Sequence, residues 1–83
     1  MTSQIRLLLS WYELHGQQPV AEEELADMRI EAILALFAAP FWNGVYQCWA
    51  VEQQHVAALQ PHVQHVIELH SYDYFVEAIR FDQ

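Results

Sequence analysis

The side chains best equipped for chemistry crowd the second half of the chain: His55, His62, His65 and His70, with Glu68 and Asp73 close by. A metal ion needs ligands converging on one point at about 2 Å. His55 and His62 are seven residues apart and would stand about 10 Å from each other along an ideal helix, so they cannot chelate together. His62 and His65 could chelate together, with His70 (the alternative metal set) or Asp73 as a third ligand, but their spacing follows no standard zinc pattern. The sequence therefore calls for no metal and no other cofactor, and the histidines read as surface or capping groups. Cys48 is the only thiol, and His55 its nearest imidazole in sequence. An activated thiolate requires an electropositive setting, which an acidic chain does not offer, and Cys48 on a strand face with Tyr46 and Ala50 reads as packing. Asp73 and Glu77 share one face of a strand at two repeats of about 6.8 Å, a separation suited to a binding surface rather than to acid–base catalysis. With only Gly16 and Gly44, there is no phosphate-cradling loop. No catalytic residue is assigned, and the expectation is a protein that is not an enzyme.

The elements that must hold these residues are bounded by size and charge. Eighty-three residues make one domain and one core, 1–83. A hydrophobic content of 54% excludes intrinsic disorder and leaves apolar surface to spare for a protein partner or a homodimer. Eleven acidic residues against three arginines and no lysine give a net charge of -8. That field repels phosphate backbones and anionic membranes and attracts basic proteins. A single cysteine cannot close an internal disulfide, the N-terminus lacks a signal-peptide cleavage site, and the longest apolar run, Ala32 to Trp42, is too short to span a bilayer. These features predict a cytoplasmic protein.

Residues 4 to 14 alternate Ile5, Leu7, Leu9 and Trp11 against Arg6, Leu8, Ser10 and Tyr12, which predicts a half-buried strand with the first set inward. His15-Gly16-Gln17-Gln18-Pro19 supplies a turn. Residues 20–26 admit two readings: an acidic edge strand completing a hairpin, which is favoured, or the start of a long helix from Pro19 to Phe37. Asp27 is the expected N-cap of a helix through Ala38, with Ile30, Ile33, Leu34 and Phe37 as its core stripe. Asn43-Gly44 marks a turn after Pro40. In this loop Trp42 is either folded back as a plug or displayed for binding. A strand over Val45–Val51 and a helix over Glu52–Gln60 follow, the latter stopped by Pro61. Val63 to Leu69 leads, with room for a short strand, into the closing strand. That strand, from Tyr72, points Tyr72, Tyr74, Val76, Ala78 and Arg80 one way and Asp73, Phe75, Glu77, Ile79 and Phe81 the other. The order β-β-α-β-α-β predicts a small α+β domain: an antiparallel sheet of about four strands with two helices on one face.

Two acidic groups stand out. Glu22, Glu23, Glu24, Asp27 and Glu31 concentrate charge between residues 22 and 31, and Asp73 and Glu77 flank Phe75. Carboxylates beside exposed aromatics suit Lys- and Arg-rich surfaces, the charge speeding encounter and the aromatics anchoring it. The alternative is a solvated face with Glu77 paired to Arg6 or Arg80, a contact worth little if exposed. Residues 29 to 79 also carry Leu36-Phe37, Tyr46-Gln47-Cys48-Trp49-Ala50-Val51, His55 through Leu59-Gln60-Pro61, and Tyr72-Asp73-Tyr74-Phe75-Val76-Glu77-Ala78. This set resembles the small bacterial immunity proteins of polymorphic-toxin and contact-dependent growth inhibition systems. The resemblance implies a cytoplasmic single-domain inhibitor that binds a cognate toxin, often a basic nuclease, and blocks its active site; it transfers no site residues. The expected function is thus an immunity or antitoxin-like inhibitor that occludes a basic toxin domain. Its expected partner-binding surface comprises Glu22, Glu23, Glu24, Asp27, Glu31, Trp42, Asp73, Phe75 and Glu77. A homodimeric adaptor or structural module is the alternative.

Overall fold

The computed structural model describes residues 3–16 and 18–82. Gln17 of the expected turn lies outside them, as do the first two residues of the N-terminal segment. The elements run β1 (Ser3–Glu13), β2 (Pro19–Glu24), α1 (Ile30–Leu36), β3 (Tyr46–Ala50), α2 (Gln53–Leu59), a 3-10 turn (Gln60–His62) and β4 (Tyr72–Asp82). The four strands form one antiparallel sheet in the order β2-β1-β4-β3, the small α+β domain that the sequence predicts.

β1 and β4 are the central pair, matched over eleven residues from Ser3↔Asp82 to Glu13↔Tyr72. Their alternation decides everything that packs on them. Leu7, Leu9 and Trp11 stand opposite Ala78, Val76 and Tyr74, and all six are buried under the helices with Leu25, Ile33, Val51, Leu59 and Ile67. The opposite parity of the same strands carries no helix.

The hairpin reading of residues 20–26 holds. Glu13 N–H donates to Gln18 O (3.0 Å), Leu25 N–H to Leu7 O (2.7 Å), and the ladder pairs Leu9 with Glu23. Helix propensity in the glutamate run is overridden because strand pairing satisfies the backbone and delivers Leu25, 1% exposed, into the core.

That choice shortens the following helix. Asp27 is not its N-cap: Met28 N–H closes a turn on Leu25 O (3.2 Å), and the helix starts only at Ile30. Arg29 occupies the cap position without a side-chain hydrogen bond. The far end also falls short of Ala38, which takes a left-handed φ of 52°. There Ala39 N–H bonds back to Leu34 O (2.8 Å), tying off the last turn. Ile30, Ile33, Leu36 and Phe37 pack on the core, whereas Leu34 is only half-buried and lies outside the core cluster.

At α2, Glu52 and His55 form a reciprocal capping pair, with Glu52 N–H donating to His55 Nδ1 (2.9 Å). His55 is buried against Phe37, 4.2 Å between ring centroids. Its chemistry is spent on the helix start. Pro61 does end α2, through a 3-10 turn. The segment between that turn and β4 contains no strand. Its backbone is instead held by side chains. Gln60 Nε2 donates to His65 O (2.8 Å) and Gln60 Oε1 accepts from Ile67 N–H (2.9 Å). Glu23 accepts from Gln64 N–H (2.6 Å) and His65 N–H (3.1 Å), and Tyr74 Oη accepts from Glu68 N–H (3.0 Å).

Candidate binding face

Because both helices pack on one side, the other side of the sheet is an open surface, and the register dictates its rows. Arg6, Ile79 and Tyr46 lie in one row; Glu24, Leu8, Glu77 and Cys48 in the next; Glu22, Ser10, Phe75 and Ala50 in the third; Tyr12 and Asp73 in the fourth. Leu8 and Ser10, each 4% exposed, are covered between the larger side chains of β2 and β4. Between the rows is a depression of about 330 Å³ lined by Tyr12, Gly16, Tyr46, Cys48, Asp73, Phe75 and Glu77.

Glu77 is the fixed point of this surface. One carboxylate oxygen accepts from Ser10 Oγ, and the other accepts from Tyr46 Oη at 2.9 Å. The Tyr46 phenol is pushed well above the ordinary tyrosine value, first by burial of its hydroxyl and then by the hydrogen bond and charge of Glu77. It therefore remains a proton donor at any physiological pH. Two hydroxyl donors orient the carboxylate without neutralising it. Tyr12 meets Phe75 edge-to-face, 5.8 Å between centroids at 84°, so the aromatic wall is also braced. Asp73 Oδ2 accepts from the backbone N–H of His15 at 3.3 Å. Arg6 does not pair with Glu77. It pairs with Glu24 (3.0 Å), with both side chains about half exposed, a contact of small energetic weight.

The expected site residues are partly united and partly dispersed. Glu22, Glu24, Asp73, Phe75 and Glu77 share the open face. Glu23, alternating with its neighbours, points to the helix side and holds the backbone of residues 64 and 65. Asp27 and Glu31 line a separate depression beside α1 with His62. Trp42 is half-buried against the core, which makes it the plug of its loop, and Phe41 is the exposed aromatic there at 63%. The expectation that Cys48 is packing fails: β3 turns Gln47 and Trp49 to the helix side, leaving Cys48 exposed on the open face. Ser10, Tyr12 and Tyr46 complete the site and were not among its expected members. The alternation of β1 shows that Ser10 and Tyr12 face outward. Nothing local tells that β3 lies beside β4 and brings Tyr46 to Glu77.

The alternative metal set is not assembled. His65 stacks on Trp11 (4.0 Å, 14°), with its Nε2 2.6 Å from Tyr74 Oη. His62 lies by α1 and His70 is exposed. Among the described residues no three His, Cys, Asp or Glu side chains come together as a metal site, and no helix is long and apolar enough to cross a membrane.

No curated protein is matched by this sequence. Residues 6–77 match the model of a family described as a domain of unknown function (DUF7683). The matched span takes in all four strands, from within β1 to Glu77 in β4. The chain thus belongs to this family.

Proposed function

We propose that the protein is a binding module whose open sheet face receives a basic protein surface, and that it acts as an immunity-type inhibitor occluding a cognate toxin domain. The observation that carries this reading is the Glu77 carboxylate, held outward by Ser10 and Tyr46 beside the braced Phe75–Tyr12 wall. A lysine or arginine entering the depression meets Glu77 and Asp73 already oriented, and an aromatic wall for its aliphatic stem or cationic head. Glu22 and Glu24 extend the negative field along the same face, raising the encounter rate with a basic partner. Pre-orientation limits the entropy lost on binding, which favours tight occlusion by a small surface.

The test is co-purification with the basic C-terminal domain encoded by a neighbouring toxin-like reading frame. The native chain should capture that domain at moderate salt and abolish its activity. Glu77→Gln and Asp73→Asn should each weaken capture about tenfold, the scale of one lost charge contact at a desolvated site. Capture that is unchanged by both substitutions together, or no complex at all, sinks the proposal.

A further inference from the structure

The two edges of the sheet differ in how they are guarded. β2 presents Glu22 and Glu24 and begins at Pro19, devices that discourage another strand from pairing. β3 carries no charge, and the whole stretch from Ala32 to Val51 is uncharged in a chain of net charge -8.

The hydrogen bonds of β3 can be assigned residue by residue. Arg80 N–H donates to Val45 O and Val51 N–H to Tyr74 O, both at 2.9 Å, so odd-numbered residues of β3 bond to β4. Tyr46, Cys48 and Ala50 turn their backbone groups outward. The outward pair at Tyr46 is already taken: Asn43 Oδ1 accepts from Tyr46 N–H (3.2 Å) and Asn43 Nδ2 donates to Tyr46 O (2.8 Å). At the other end, Glu52 turns the chain into α2. Among the described residues, what remains open on this edge is the backbone of Cys48 and Ala50, both exposed.

This strip is self-complementary. We propose that β3 is a self-association edge, two copies pairing antiparallel about Trp49 to join their sheets into one. In that register each Cys48 faces Ala50 of the second copy, and the two pairs exchange four backbone hydrogen bonds. The two half-buried Trp49 side chains meet on the helix side as a close non-hydrogen-bonded pair. Asn43 and the cap of α2 bound the strip at each end, which excludes other registers. A second copy is the occupant that suits this edge because it offers the same neutral strip and the same two-residue gap. The joined sheet would present two copies of the acidic face side by side, a bivalent surface for a basic partner.

Each chain's charge opposes pairing, so self-association should strengthen with salt, the reverse of binding to a basic partner. The experiment is sedimentation velocity of the full chain over increasing concentration at low salt and at about 0.5 M salt, where screening acts within roughly 4 Å. It is paired with a directed disulfide. Cys48→Ser/Ala50→Cys mixed with the native chain should give a mixed disulfide dimer, because the facing Cα atoms of such a pair lie about 5.5 Å apart. Neither protein alone should cross-link. Ala50→Pro removes only an outward N–H and should abolish the dimer; Ala50→Glu serves the same purpose if the proline variant does not fold. Capture of a basic partner should survive both, since Asp73 and Glu77 are untouched. A chain that stays monomeric at high salt, or a dimer indifferent to both Ala50 substitutions, overturns the proposal.

Discussion

Glu22, Glu23 and Glu24 are chemically identical neighbours on one edge strand, yet they belong to two different regions of the molecule. Glu22 and Glu24 face the open side, exposed, with the Glu24 carboxylate paired to Arg6. Glu23 faces the helix side and serves as the acceptor for two successive backbone N–H groups of an otherwise irregular segment. The same contrast separates the two sheet faces as wholes. On the helix side, polar side chains are consumed in holding the backbone: Glu23, Gln60 and Tyr74. On the open side Glu77 is held by the side chains of Ser10 and Tyr46 and left presented, and Asp73 accepts the exposed backbone N–H of His15 at a longer 3.3 Å. Polarity by itself therefore does not mark a binding surface. What a carboxylate satisfies decides whether it is scaffold or site.

The largest expected effect tests that distinction directly. Glu23→Ala strands two backbone donors that bond a charged acceptor, and should cost about 2 kcal/mol of stability, whereas Glu22→Ala should fall within about 0.5 kcal/mol of the native chain. Urea denaturation of the pair decides it, and equal effects would erase the division. Tyr74→Phe comes next. It removes the hydroxyl that accepts Glu68 N–H and meets His65, and should lower stability by about 1–2 kcal/mol in the same assay while leaving the open face unchanged.

The tyrosines extend the comparison to pH. Tyr46 on the open face and Tyr74 under the helices both have phenols raised above the ordinary value, burial being the first cause in each case. Their neutral forms are favoured in the folded chain, so this contribution is fully present below the unfolded tyrosine value of about 10 and is lost as pH rises through the higher folded values. Absorbance titration near 295 nm should show Tyr46 and Tyr74 ionising late, together with alkaline unfolding. Tyr46→Phe and Tyr74→Phe should each remove one late titration, and a native chain with no late step contradicts the assignment.

The smallest effect concerns neither face but the end of α1. Ala38 holds a left-handed φ of 52° in which an alanine Cβ is strained, so Ala38→Gly should stabilise the chain by about 0.5–1 kcal/mol, read as a raised melting temperature. A loss of stability would mean that the methyl packs.

Much of this molecule was legible in its sequence because alternation and periodicity are local. The parity of Leu7-Leu8-Leu9-Ser10-Trp11 and of Tyr74-Phe75-Val76-Glu77-Ala78 assigned core and open faces before any pairing was known. Ile33 and Leu59 declared the helix faces in the same way, and the turn at Gly16 and Pro19 supported a hairpin. Other features depended on partners distant in the chain. Leu25 entering the core beneath Leu7 moved the N-cap of α1 from Asp27 to Arg29. The irregular segment before β4 took no strand because Glu23, some forty residues earlier, supplied its acceptors. The site shows the same split. Asp73, Phe75 and Glu77 could be placed on one face from their spacing alone. Tyr46 joined them, and Asp27, Glu31 and Trp42 left them, only through the sheet order β2-β1-β4-β3 and the packing of the helices. Local sequence determined which way each side chain points; tertiary structure decided what it meets there, because strand order and hydrogen-bond satisfaction are properties of the whole chain.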